Sequence, residues 1–387
     1  LCDCRAILNS IKRNCRKAEE LHLSKFLPKS EFAKQVMTLM TGTGLAQILP
    51  IILAPILSRL FTPSDFGVFA LFTSLVSFAA IPASGRYELA ILLPKEEEDA
   101  LNILVLAISL SGGISLILLG IAFFFNAQIA TLLGNPEIAR WLYWVPLMVL
   151  LTGVYQSLNY WLNRQQEYKK LAINRVIKSG ATVLASIVLG LIQATVTGGL
   201  IIGAIVGQLI ATLIFVLRSS KPISDRRSVL SKSEISRLAN RYKDFPKYSV
   251  PADTINTISA NLPIVFFTAF FGPVVAGYFH LTQRVLGAPL SIVSSAYADV
   301  FKQRASNEFN SRGNCRASWL VTFKQLSLIS ILPGIVTIIF APSLFAFVFG
   351  EPWREAGRYD PPHSRRRFER RQRAHLGALL LLPKAVF

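Results

Sequence analysis

Charge is scarce in this chain of 387 residues: 16% are Asp, Glu, Lys or Arg, against 52% apolar, and the mean hydropathy is +0.45. That balance excludes an ordinary soluble globular composition. Acid is the scarcer half, with 22 Asp and Glu facing 41 Lys and Arg. Cysteine and histidine number four each. Cys2 and Cys4 form a C-x-C with no matching pair, Cys15 and Cys315 stand alone, and His22, His280, His363 and His375 make no ligand cluster, so no zinc site is read. A Walker loop is missing, which removes the usual device for direct ATP use. Gly42-Thr43-Gly44 resembles part of a dinucleotide loop but sits inside an apolar run with no strand before it, so close helix packing is the reading. No catalytic constellation is visible; the chain is not read as an enzyme, and no cofactor is implied.

What the chain does have is long apolar runs, and the most informative spans Phe245 to Ala305. It reads as two apolar segments of roughly 24 residues joined by an uncharged turn at Gly272 to Gly277, and at ~1.5 Å per residue each can cross a hydrocarbon core of about 30 Å. On the first segment Ser249, Asp253, Asn256, Thr257, Asn261 and Thr268 fall on one helical face. Ile255, Ile258, Leu262 and Phe266 fall on the other. A polar stripe inside a bilayer must face protein or water. The second segment carries Gln283 and Arg284 about five turns before Lys302, a depth at which a cation costs ~3 kcal/mol or more unless paired or hydrated. Together they suggest one wall of a polar, partly cationic cavity.

The fold class is therefore all-α: a polytopic transmembrane helical bundle. Nine spans are expected, at about 36 to 60, 66 to 93, 101 to 125, 141 to 162, 171 to 192, 198 to 217, 248 to 271, 278 to 301 and 319 to 340. Alternate connections are basic: eight Lys or Arg in residues 1 to 35, the stretch Arg164 to Lys170, nine cations from Arg218 to Lys247, and Lys302 to Arg316. The turns at 193 to 197 and 272 to 277 contain none. The positive-inside rule then places the N-terminus in the cytoplasm, where all four cysteines would stay reduced. The net charge of +19 is loop charge that orients helices, so nucleic acid is not an expected partner. Trp141, Tyr143 and Trp144 mark the outer interface of the fourth span, Tyr160 and Trp161 the inner one. No signal peptide is visible.

An internal repeat suggests two lobes. Phe61, Pro63, Gly67, Phe69 and Leu71 follow the spacing F-x-P-x3-G-x-F-x-L, and Phe271, Pro273, Gly277, Phe279 and Leu281 reproduce it. Leu49-Pro50 and Leu262-Pro263 precede the two copies. Both hairpins leave and return on the same side, the mark of parallel repeats about an axis along the membrane normal. The organisation read is a basic N-terminal segment 1–35, a six-span first lobe 36–217, a basic linker 218–247, three spans of a second lobe 248–349, and a basic tail 350–387. From about residue 360 the tail, with seven cations and two acids, is read as a shifted frame or truncation.

The runs SRLFTPSDFGVFALFTSL, RYELAILLPKEEEDALN, NYWLNRQQEYKKLAINRVIKS and FPKYSVPADTINTISANLPIVFFTAFFGPVVAGYFHLTQRVLGAPLSIV resemble bacterial polysaccharide-biosynthesis transporters. These are the O-antigen and exopolysaccharide (Wzx-like) flippases of the multidrug/oligosaccharidyl-lipid/polysaccharide exporter superfamily. The likeness covers about residues 30 to 358; the family generally has twelve to fourteen spans, so the second lobe looks incomplete. The resemblance implies translocation of an undecaprenyl-pyrophosphate-linked oligosaccharide from the cytoplasmic to the outer leaflet of the inner membrane. It implies membrane lipid, a polysaccharide polymerase and chain-length proteins as partners. A drug or lipid-precursor exporter of the same superfamily, an inactive fragment, and a membrane-embedded glycan polymerase or ligase are the alternatives.

With that reading the intramembrane polar residues become site candidates: Arg86, Glu88, Arg175, Lys178, Asn256, Asn261, Gln283 and Arg284. Arg86 with Glu88 either snorkels or lines the inner mouth and meets pyrophosphate oxygens. Arg175 and Lys178 face the same choice. Asp253 is either a proton or sodium site coupling transport to an ion gradient or the ion-pair partner of a neighbouring Arg. Gln156, Asn159 and Asn163 form a second stripe, read as helix-to-helix hydrogen bonding ahead of sugar contact.

Overall fold

The computed structural model describes residues 31–192, 198–224, 230–287 and 316–357, and every regular element among them is helical. The order is α1 Glu31–Ile52, α2 Ala54–Leu60, α3 Pro63–Ala83, α4 Tyr87–Ala90, α5 Glu97–Leu132, α6 Ala139–Leu142, α7 Val145–Arg164, α8 Tyr168–Ile192, α9 Gly199–Ser224, α10 Lys232–Arg241 and α11 Val250–Phe271. Helix α12 starts at 273 and is described to 287, and α13 is Arg316–Phe349. Among the described residues six helices are long and apolar enough to cross a membrane, or seven counting the bent pair Pro136–Leu142 and Val145–Arg164 at 51°. The N-terminal segment to residue 30, the second half of the expected span 278 to 301, the basic loop 302–315 and the tail from 358 lie outside the described residues.

Helix boundaries follow local chemistry. Thr62 caps α3: its backbone N–H donates to Asp65 Oδ2 at 2.8 Å, Asp65 N–H donates back to Thr62 Oγ1 at 3.3 Å, and Pro63 takes the first helical position where no N–H is needed. The expected second span, 66 to 93, ends early. Pro82 and the left-handed pair Gly85 (φ 59°) and Arg86 (φ 59°) break it at Ala83, and a separate turn, α4, follows. The linker 218–247 is not simply a loop: α10 docks through fully buried Leu238, which joins Trp161, Leu101 and Phe215 in one core cluster. Trp161 and Trp141 are thus core and not the interfacial anchors expected, whereas Tyr143 and Trp144 are exposed.

The helices meet at two ends. At one end, the turns at 61–63, 133–139, 198–199 and 271–273 and the turn Glu351–Gly357 come together: Trp353 Nε1 donates to Ser58 O at 2.9 Å, and Cβ atoms on Gly198 and Gly134 would overlap Trp141 and Ala269. At the other end, Arg164 Nη1 donates to Ile91 O at 3.2 Å, Tyr87 Oη to Ala239 O at 3.0 Å, and Arg237 pairs with Asp99 at 3.1 Å. Between the ends, Phe123, Phe124, Leu116, Leu184 and Ile255 present exposed apolar faces, which demand hydrocarbon as solvent. This is a membrane protein.

Two glycine devices set helix positions. Gly199, Gly203 and Gly207 recur every four residues on α9, and Cβ atoms at the last two would overlap Ser186 and Thr182, so the α9 backbone lies directly on α8. The second joins the sequence repeats. A Cβ on Gly67 would overlap the Pro273 carbonyl, and one on Gly277 would overlap the Pro63 carbonyl. The contact is reciprocal, each glycine of the repeated motif receiving the proline of the other copy.

Candidate functional site

Helix α3 packs along α11, and their shared face is polar at intervals. Ser74 Oγ donates to Asn261 Oδ1 at 3.3 Å about midway along it. At the end bearing α4, Arg86 Nη2 reaches Asp253 Oδ2 at 2.7 Å while its Nη1 reaches Glu88 Oε1 at 3.3 Å. The left-handed backbone at 85 and 86 turns this guanidinium out of the α3 axis toward α11. Glu88 is buried, and its Oε2 has no hydrogen-bond partner among the described residues. The cluster therefore holds one cation between two carboxylates. For Asp253, the ion-pair reading matches the geometry.

Arg175 and Lys178 do not join that cluster. They line a separate cavity of about 380 Å³ among α1, α7 and α8. The α8 wall is Arg175, Lys178, Ser179 and Thr182, which share one helical face; Thr43 and Gln47 of α1 and Tyr155 of α7 lie opposite. Pro50 has no N–H to give the Ala46 carbonyl, and Ser179 Oγ donates to that carbonyl at 2.6 Å. Gly42 admits Ala172 closely, as expected of a packing glycine, whereas Gly44 meets nothing within 4 Å. Arg175 Nη1 donates to Thr43 Oγ1 at 2.6 Å, and Lys178 Nζ lies 4.7 Å from the centre of the Tyr155 ring, itself stacked on Phe215.

The remaining candidates are dispersed. Asn256 and Gln283 are exposed. Arg284 lies one turn beyond His280, whose ring rests against Phe66 and Phe69 of α3 at 6.5 and 5.8 Å. Gln156, Asn159 and Asn163 make no interhelical side-chain hydrogen bond among the described residues; Gln156 is exposed and Asn159 Oδ1 is buried without a partner. Helix-to-helix bonds are instead made by Gln208 and Thr212 to Leu151 O, and by Asn174 to Ala211 O. The single lining expected from sequence thus resolves into a seam and a pocket. Thr43, Gln47 and Tyr155 were missed because their part depends on which helix faces α8; Ser179 and Thr182 were legible as the continuation of the Arg175, Lys178 face. Among the described residues no group of three or more His, Cys, Asp or Glu could hold a metal.

A family model described as polysaccharide biosynthesis protein matches residues 56–358. The chain belongs to that family. Within the polysaccharide biosynthesis family it is similar to the succinoglycan biosynthesis transport protein ExoT of Rhizobium meliloti (strain 1021), at 24% identity over 318 residues, 80% of this chain. The chain spans 60% of that relative's length. Two solved structures are similar at 14% and 15% identity: an inward-facing multidrug resistance MATE family transporter of the MOP superfamily (TM-score 0.49, 85% of this chain and 77% of that one), and a MATE point mutant (TM-score 0.44, 84% and 77%).

Proposed function

We propose that the protein is a polysaccharide exporter that carries a lipid-linked oligosaccharide, an undecaprenyl-pyrophosphate glycan by family resemblance, from the cytoplasmic to the outer leaflet of the bacterial inner membrane. Residues 36–217 form one lobe and residues from 248 on begin a second, with the seam between α3 and α11 as the path for the glycan. The end with α4 and α10 faces the cytoplasm, because the described basic connections gather there. The observation carrying this reading is the seam itself: polar groups from both halves, Ser74 with Asn261 midway and Arg86 with Asp253 at the α4 end, meet along one pair of helices. Polar groups in a membrane interior are costly, and they occur where a bundle encloses a hydrated route. The lipid tail stays in the bilayer while hydroxyls of the sugar exchange along the seam.

The test is complementation. The chain is expressed in a bacterium deleted for its own polysaccharide flippase, and surface glycan is measured together with inner-leaflet lipid-linked intermediate. Restored surface glycan and a falling intermediate are expected. Accumulated intermediate with folded protein present in the membrane would refute the reading. The polymerase and chain-length proteins are proposed to act on the exported unit at the outer face.

A further inference from the structure

We infer that two matching turns, Gly134 to Ile138 and Gly350 to Gly357, are paired latches that hold the lobes shut at the end opposite α10. Each is seated on the end of the first span of the other lobe. Reading that end as the outer gate of a transporter rests on the proposed function; the paired seating does not. Each turn leaves the third span of its lobe, α5 or α13, and each runs G-x-P: Gly134-Asn135-Pro136 and Gly350-Glu351-Pro352. Both glycines are left-handed, at φ 64° and 100°, and both turns continue as a short 3-10 helix, Pro136–Ile138 and Glu351–Gly357.

The seats correspond as well. A Cβ on Gly134 would overlap the backbone of Ala269 on α11, two residues before Phe271 of the repeated motif. Trp353, fully buried, donates from Nε1 to Ser58 O at 2.9 Å on α2, three residues before Phe61, the matching position of the other copy. Ser58 Oγ donates in return to Phe349 O at 3.1 Å, and the Trp353 ring meets Phe66 of α3 edge-on at 4.9 Å. Tyr278 Oη to Pro352 O at 3.0 Å and Thr282 Oγ1 to Ala356 O at 3.4 Å fasten the second turn to α12 of its own lobe. The lobes thus exchange turns at the end where Gly67 and Gly277 also receive each other's proline. At the α10 end, by contrast, the cross-lobe contact is the partly exposed pair of Arg86 with Asp253. One end is interlocked and dry, the other wetted. Because each lobe supplies one turn and one seat, a rigid rotation of either lobe lifts both turns together, and the latches release as a unit.

The experiment perturbs one latch and reads the other. In the full chain with its four cysteines replaced by serine, Ser58→Cys puts a thiol beneath Trp353, and its reaction with a water-soluble maleimide is timed in detergent. Gly134→Ala, in the opposite latch, should speed that reaction about five- to thirtyfold, whereas a purely local packing role for Gly134 would leave it unchanged. Circular dichroism checks that the variant is folded. Where it is not, Ser58→Cys with Phe349→Cys, bridged by a reducible methanethiosulfonate cross-linker, decides: bridging should stop the flipping of undecaprenyl-pyrophosphate oligosaccharide in vesicles, and reduction should restore it. An unchanged thiol rate in folded Gly134→Ala, or flipping that continues with the bridge complete, overturns the inference. In the second case the latches fall and the transport reading stands. If the thiol at 58 answers to Gly134→Ala while no vesicle shows flipping, the transport reading falls and the paired latches stand.

Discussion

Removing Arg86 should cost far more than removing its cross-seam partner. Asp253 sits 2.7 Å from the guanidinium, but the two side chains are 24% and 38% exposed. Two charges about 4 Å apart attract by ~4 kcal/mol at an effective dielectric of 20. Exposure of both partners brings the net coupling down to about 1–2 kcal/mol, above a fully exposed pair and well below a buried one. Asp253→Asn should therefore destabilise by about 1–2 kcal/mol, a five- to thirtyfold shift in an equilibrium. Arg86→Gln does more, because Glu88 is buried, one of its oxygens already lacks a partner, and Arg86 is its countercharge. Stranding that carboxylate costs about 3–5 kcal/mol. The assay is reversible unfolding in mixed micelles for Arg86→Gln, Asp253→Asn, Glu88→Gln and the pairwise doubles. Glu88→Gln should rescue part of the Arg86→Gln loss, and Asp253→Asn should add little to it. Equal costs for Arg86→Gln and Asp253→Asn, or strictly additive doubles, would refute the reasoning.

Three further outcomes follow from packing. Gly67→Ala and Gly277→Ala each drive a methyl into a proline carbonyl of the other repeat, so each should cost about 1–3 kcal/mol and spread α3 from α12, read by thermal unfolding and by distances between spin labels on those helices. Trp353 is fully buried against Phe66 at 4.9 Å; Trp353→Ala should cost about 3–5 kcal/mol, and Trp353→Phe, which loses the bond to Ser58 O, about 1 kcal/mol beyond its lost packing. Gly207→Leu should push α9 off α8 and lower thermal stability, whereas Gly44→Ala, with open space around it in a helix interior, should raise it by about 0.5–1 kcal/mol.

Apolar run length was enough to find the long helices, because a bilayer of fixed thickness leaves few alternatives to a long continuous helix, whereas polar α10 carries no such run. The Asp253, Thr257, Asn261, Thr268 side of α11 and its apolar opposite were also legible: Thr268 is buried and Asn261 bonded across the seam, while Ile255, Leu262 and Phe266 are exposed. Asn256 is exposed at the flank of that stripe, three residues from Asp253 and about 60° round the helix from it. The repeated F-x-P-x3-G motif was visible as a string, but its meaning, a mutual seat for glycine and proline, needed both copies in space. Least legible was the division of the cations. Nothing local tells Arg175, held by Thr43 of α1, from Arg86, held by Glu88 and by Asp253 of α11. That sorting depends on which helices become neighbours, and on the left-handed turn at residue 86 that aims one guanidinium across the seam.

Flipping in a reconstituted bilayer is the most direct measurement. The purified chain is placed in vesicles whose undecaprenyl-pyrophosphate oligosaccharide is confined to one leaflet, and an added glycosidase reports glycan arriving at the other. Glycan should become accessible in minutes with the wild-type chain, and much more slowly with a disulfide introduced to lock α3 to α11 across the seam. Glycan that stays protected beside correctly folded wild-type protein, or that crosses equally fast through the locked seam, would contradict the account.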